Sequence, residues 1–153
     1  MILTGGEPLI KDQIVEIAKA LGNGLTCPIT LQSNGLAITK DLTEQLKGYI
    51  NEIDFSTMHM FGTPEKEQQL INHIEMCQQA GIKVVLSFIY EKTNEVDLYR
   101  VIDIAAKYDI DVLFNIVSSV GRAKENSEIL TDMEHLDMNL KIAKIYIEAG
   151  VRG

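Results

Sequence analysis

The residues most suited to chemistry stand at the start of the chain. A short apolar run, Met1-Ile2-Leu3-Thr4, ends in Gly5-Gly6-Glu7-Pro8, and an amphipathic helical pattern follows. Adjacent glycines reach backbone conformations closed to other residues and let a ligand approach the main chain, while Pro8 restrains the exit. Glu7 adds a carboxylate at the strand's end, so the turn suits a charged small molecule. A phosphate turn wants backbone N–H groups and a cation, and Glu7 points away from that use. The plainer alternative is a strand-to-helix turn in which Glu7 only favours a helix N-terminus, worth about 0.3–1 kcal/mol.

Polar turns recur further along: Ser33-Asn34-Gly35, Ser56-Thr57, Tyr90-Glu91-Lys92-Thr93-Asn94 and Val120-Gly121-Arg122-Ala123. Each follows an apolar segment of strand character and precedes a helical pattern. Pro28 to Gln32, Ile53 to Ser56, Ile82 to Tyr90 and Asp111 to Val117 read as strands after the stub Ile2-Leu3. The run at Ile82–Tyr90 is nearly continuous, as expected of a parallel strand covered by helices.

Between the strands, apolar residues recur at helical spacing. Ile10, Ile14, Ile17, Ala18 and Leu21 mark the first helix, ended by Gly22-Asn23-Gly24. Leu42, Leu46, Tyr49 and Ile50 mark a second, with Thr39 or Asp41 as cap. Thr63-Pro64-Glu65 opens a third, with Leu70, Ile71, Ile74 and Cys77 inward and Gly81 as its stop. A fourth uses Leu98, Val101, Ile102 and Ala105 after a cap at Thr93 or Asn94. Met133, Leu136, Leu140, Ala143 and Ile147 mark the last. The βα units recur roughly every 24 to 31 residues, and right-handed crossovers curve such a series toward a barrel. The predicted fold is therefore α/β, a partial (β/α) barrel of about five parallel strands with helices on the outer face. The polar turns then gather at the strand C-termini, the edge that carries active sites in βα barrels.

Composition narrows the functional classes. The chain has 153 residues and a net charge of −8. That length suits one domain with a sizeable core but falls short of the about 250 residues of a closed eight-fold barrel. Scattered basic residues give no nucleic-acid footprint, and no apolar run approaches the ~20 residues of a membrane span. Cys27 and Cys77 stand fifty positions apart, neither a chelating spacing nor a disulfide scaffold, which places the chain in a reducing, cytoplasmic compartment. Cys27, before Pro28 at a strand start, reads as a buried small hydrophobe. His73, His135 and Cys77 fall within helix patterns and read as structural. Lys83 reads as a strand-end lysine reaching to water or as a ligand contact. His59, with Met58, Met60 and Phe61, either faces a cleft or packs.

The order Gly5-Gly6-Glu7-Pro8, Ser33-Asn34-Gly35, Ser56-Thr57, Gly121-Arg122-Ala123 resembles the radical S-adenosylmethionine (radical SAM) superfamily, in particular its peptide-maturase and molybdenum-cofactor branches. The resemblance covers essentially the whole chain. It implies that Gly5, Gly6 and Glu7 meet the ammonium group of SAM and that Ser56 hydrogen-bonds its carboxylate. It further places Ser33 near cofactor or substrate, the Ser118 backbone at the adenine, and Arg122 against a carboxylate. His59 stands where many relatives have a Ser-Leu-Asp-Gly turn, a departure from the family pattern.

In that family a Cys-x3-Cys-x2-Cys loop on the preceding strand ligates a 4Fe-4S cluster, and this sequence has no such run. The resemblance therefore implies a single core-domain fragment over residues 1–153, cut at both ends. Its intact parent would cleave SAM reductively and abstract hydrogen from a peptide or small-molecule substrate, while this chain alone would be inactive. The rival expectation is a non-catalytic SAM-binding domain, or one that forms a homodimer through its open sheet edges.

Overall fold

The computed structural model describes residues 1–91, 93–116 and 132–149. Five strands, β1 (Ile2–Leu3), β2 (Thr30–Ser33), β3 (Glu52–Ser56), β4 (Lys83–Tyr90) and β5 (Asp111–Ile116), form one parallel sheet in sequence order. Helices α1 (Ile14–Gly24), α2 (Lys40–Leu46), α3 (Pro64–Gln79) and α4 (Glu95–Tyr108) connect them, and α5 (Asp132–Ala149) follows β5. This is the α/β partial barrel expected from the repeat. The chain divides within β4 into two compact units, Met1–Leu86 and Ser87–Gly153.

In the first unit the strands pair in parallel with Ile2 opposite Thr30, Leu31 opposite Ile53 and Ser33 opposite Phe55. Leu31, Ile53 and Phe55 are fully buried. Phe55 meets the ring of His73 on α3 at 6.2 Å between centroids, so this face of β3 is the one the helix covers. Strand side chains alternate, which turns Glu52, Asp54 and Ser56 to the opposite face. Helix α3 begins as its sequence predicts: the Thr63 hydroxyl accepts from Lys66 N and Pro64 takes the first position. Thr39 caps α2 in the same way through Leu42 N.

The first helix departs from its sequence pattern. Pro8–Ile10 forms a short 3-10 turn closed by Lys11 N donating to Pro8 O, and α1 starts only at Ile14. The turn breaks the periodicity, so Ile10 is exposed, as is Ile17, and Ile14 and Ala18 carry the packing. Cys27 is also exposed, contrary to the buried place its sequence neighbours suggested, because the chain reaches the sheet interior only at Ile29.

In the second unit, α4 buries Leu98, Val101, Ile102 and Ala105 as expected. Asn94 precedes it without a side-chain cap: its Nδ2 donates to Ile89 O at 2.8 Å and its Oδ1 accepts from Glu91 N at 2.9 Å, tying the end of β4 to the turn. Helix α5 overturns its predicted stripe. Met133, Leu136, Leu140 and Ile147 are exposed, and Met138 and Ile142 are the buried pair, at 4% and 7% exposure. The helix is apolar on more than one side, so periodicity alone does not select the side that packs. Lys141 bonds Glu95 of α4 and lies 5.9 Å from the Tyr99 ring, which fixes the helix's orientation on α4.

Candidate functional site

The turns after β1 and β2 are joined by one side chain. Glu7 is extended (φ −127, ψ 107) and half-buried. Its Oε1 accepts from Leu9 N at 3.0 Å and from the Ser33 hydroxyl at 2.8 Å, and its Oε2 accepts from Asn34 N at 2.7 Å. The first of these bonds caps the 3-10 turn, the plainer role open to Glu7 in the sequence. The other two reach across to the next strand. A carboxylate offers about four lone-pair sites, so Oε2 retains capacity for a further donor.

Ser33 is buried at 5% exposure, and its hydroxyl donates to Glu7 while accepting from Gly35 N at 2.9 Å. Its proton is therefore committed within the turn. Gly35 has φ +76, and an added Cβ would lie 3.0 Å from Met60 Cε and from Phe55 Cδ1. The glycine is thus demanded by both conformation and space. Met60 and Phe61 are buried, Met60 packing with Phe55 against Gly35, whereas Met58 and His59 are exposed.

Gly5 and Gly6 have φ +109 and +52, and nothing lies within 4 Å of a Cβ built on either. Their backbone conformation, not crowding, requires glycine, and the space beside them is open. Ser56 ends β3, half-buried, on the sheet face opposite Phe55. The predicted positions Gly5, Gly6, Glu7, Ser33 and Ser56 therefore all lie at C-terminal strand ends of the first unit. Ser118 and Arg122 lie outside the described residues, as does Lys92. Lys83, at the opposite end of β4, pairs with Glu52 at 3.5 Å.

Among the described residues no three His, Cys, Asp or Glu side chains converge as a metal site. Both cysteines are free, and burial pushes the Cys77 thiol up to about 12. Among the described residues no helix is long and apolar enough to cross a membrane.

Sequence reasoning passed over Gln32 and Asp54. Gln32 Nε2 donates to Asp54 Oδ2 at 3.0 Å, and Asp54 is buried at 4% exposure with its Oδ1 unpartnered. The signal was present: an acidic residue between Ile53 and Phe55 inside a strand is one that alternation assigns to the face away from the helices.

No family model matches the chain. The GTP 3',8-cyclase of Clostridium perfringens (strain SM101 / Type A) is 30% identical over 145 residues, covering 84% of this chain and 44% of that protein. The pre-heme d1 synthase of Dinoroseobacter shibae is 26% identical over 166 aligned positions, covering 100% of this chain and 40% of the synthase. The chain thus spans less than half the length of these curated relatives. Among solved structures, Streptococcus suis SuiB bound to S-adenosylmethionine superposes with a TM-score of 0.76 at 18% identity, over 96% of this chain and 36% of that one. SuiB bound to its precursor peptide SuiA gives 0.79 at 17% identity, over 99% and 36%. At these identities the likeness to SuiB is one of fold.

Proposed function

The chain belongs to the radical SAM superfamily, and from that premise we propose that its first unit holds the amino-acid end of S-adenosylmethionine on the turns after β1, β2 and β3. The observation that carries the reading is the Glu7 carboxylate, which joins two of those turns and keeps an acceptor site on Oε2. Gly5 and Gly6 supply open main chain beside it, and Ser56 a hydroxyl at the third strand end. These groups fit an ammonium and a carboxylate. Held there, SAM would be cleaved to a hydrogen-abstracting radical, acting on a peptide or small-molecule substrate, only in an enzyme that also supplies the reducing electron.

A 4Fe-4S cluster does not fit the described residues, which offer one exposed and one buried cysteine and no converging ligand set. In this reading the chain is a single core-domain portion of a radical SAM enzyme, cytoplasmic given its free thiols, and inactive by itself. Ser118 and Arg122 are proposed for the adenine and for a carboxylate from their sequence positions alone.

Calorimetric titration of SAM into the chain, with anaerobic iron-sulfur reconstitution in parallel, tests the reading. The expected result is SAM binding weakened by Glu7→Ala, with no cluster absorbance and no 5'-deoxyadenosine. Appearance of the cluster would overturn the inactivity. The rival reading, a dimerising domain, predicts dimers with no SAM binding.

A further inference from the structure

The sheet face turned away from α3 carries two polar rungs set by the strand register. In the first, Thr30 lies opposite Glu52, the Thr30 hydroxyl donates to Glu52 Oε1 at 3.1 Å, and Lys83 Nζ lies 3.5 Å from Glu52 Oε2. In the second, Gln32 lies opposite Asp54 and donates to its Oδ2 at 3.0 Å. Glu52 thus has a partner on each oxygen. Asp54, only 4% exposed, has none on Oδ1.

A carboxylate oxygen buried without a donor costs the fold its full desolvation penalty, since the water it lost is not replaced. A bound water, an ion or a ligand group can complete such an oxygen. The two rungs together carry two carboxylates and one cation, so the missing partner is a positively charged nitrogen donor and not an anion. Asp54 stands two residues before Ser56 on one face of β3, about 7 Å along the strand by its rise per residue.

We propose that Asp54, oriented by Gln32, forms a subsite for a guanidinium or ammonium group of the substrate, one rung inside the strand ends. The proposal rests on the radical SAM reading only in assigning that cation to the substrate. The Asp54 Oδ1 accepts the N–H of the incoming group, and the Gln32 bond to Oδ2 fixes the carboxylate plane so that Oδ1 faces it.

The test is titration of the folded chain with methylguanidinium, followed through amide and carboxyl NMR shifts of Gln32 and Asp54, with acetate as the anionic control. Saturable shifts with methylguanidinium and none with acetate are expected. Asp54→Asn is expected to weaken that binding at least about tenfold, as loss of a charged hydrogen-bond acceptor does. The same variant is expected to leave SAM affinity unchanged. Absence of wild-type shifts, equal shifts with acetate, or undiminished binding by Asp54→Asn would each overturn the proposal. So would a loss of SAM affinity in that variant, which would give the carboxylate to the cofactor. If Asp54→Asn fails to fold, the wild-type comparison of the two ions decides alone. Failure of SAM to bind the wild type would count against the cofactor reading without touching this titration.

Discussion

The Glu7 carboxylate accepts the Ser33 hydroxyl at 2.8 Å, joining two strand ends twenty-six residues apart. Because Glu7 also serves Leu9 N and Asn34 N, removing it strands three donors at once. Glu7→Ala is expected to lower stability by about 1–3 kcal/mol, the cost of leaving partly buried groups unpaired. Ser33→Ala removes two of the turn's bonds but leaves Glu7 two partners, and should cost less. Urea unfolding of the two variants measures the order, and a larger loss for Ser33→Ala would contradict it.

Gly35→Ala should be more damaging than Gly5→Ala. At Gly35 the positive φ is combined with 3.0 Å approaches from Met60 and Phe55, whereas the space at Gly5 is open. The conformational strain common to both is about 1–2 kcal/mol, and overpacking adds about 1–3 kcal/mol at Gly35. Thermal melting of the pair checks the difference.

Burial holds the His73 imidazole below the usual histidine value of 6.5. The unfolded chain takes up a proton as pH falls through about 6.5, and the folded chain does so only at lower pH. The stability held above that value is therefore lost as pH falls through it toward the folded-state pKa. Unfolding free energy measured at pH 7.5 and pH 5.5 should fall between the two (~2 units of pH) and should fall less in His73→Leu.

Met138 is buried and Leu140 exposed on the same helix. Met138→Ala is expected to cost about 2–4 kcal/mol and Leu140→Ala less than about 0.5 kcal/mol. The reverse order, by denaturant unfolding, would restore the stripe that the sequence suggested.

The contrast between these two residues shows how far the sequence could be read. Thr63-Pro64 located the start of α3 because a cap and a proline act through local geometry alone. The turn glycines were legible for the same reason, and alternation within Ile53-Asp54-Phe55 already separated the two faces of β3. Helix α5 was misread because Met133, Leu136, Leu140 and Ile147 form as regular a stripe as a packed face would, and only contact with α4 chooses Met138 and Ile142. Ile10 was lost to the helix when Glu7 capped a 3-10 turn, a bond that depends on Ser33 and Asn34 holding the carboxylate from a distant strand. Cys27 could not be placed from its neighbours, since exposure at a strand entrance is set by where the chain enters the sheet.

The most direct test of the central claim is the map of amide shifts produced by SAM on the isotope-labelled chain. The account predicts saturable changes at Gly5, Gly6, Asn34 and Ser56, the C-terminal strand ends that Glu7 helps to join, and their loss in Glu7→Ala. Changes confined to the opposite strand edge, around Gly22, Cys27 and Asn51, or no changes at all, would contradict it.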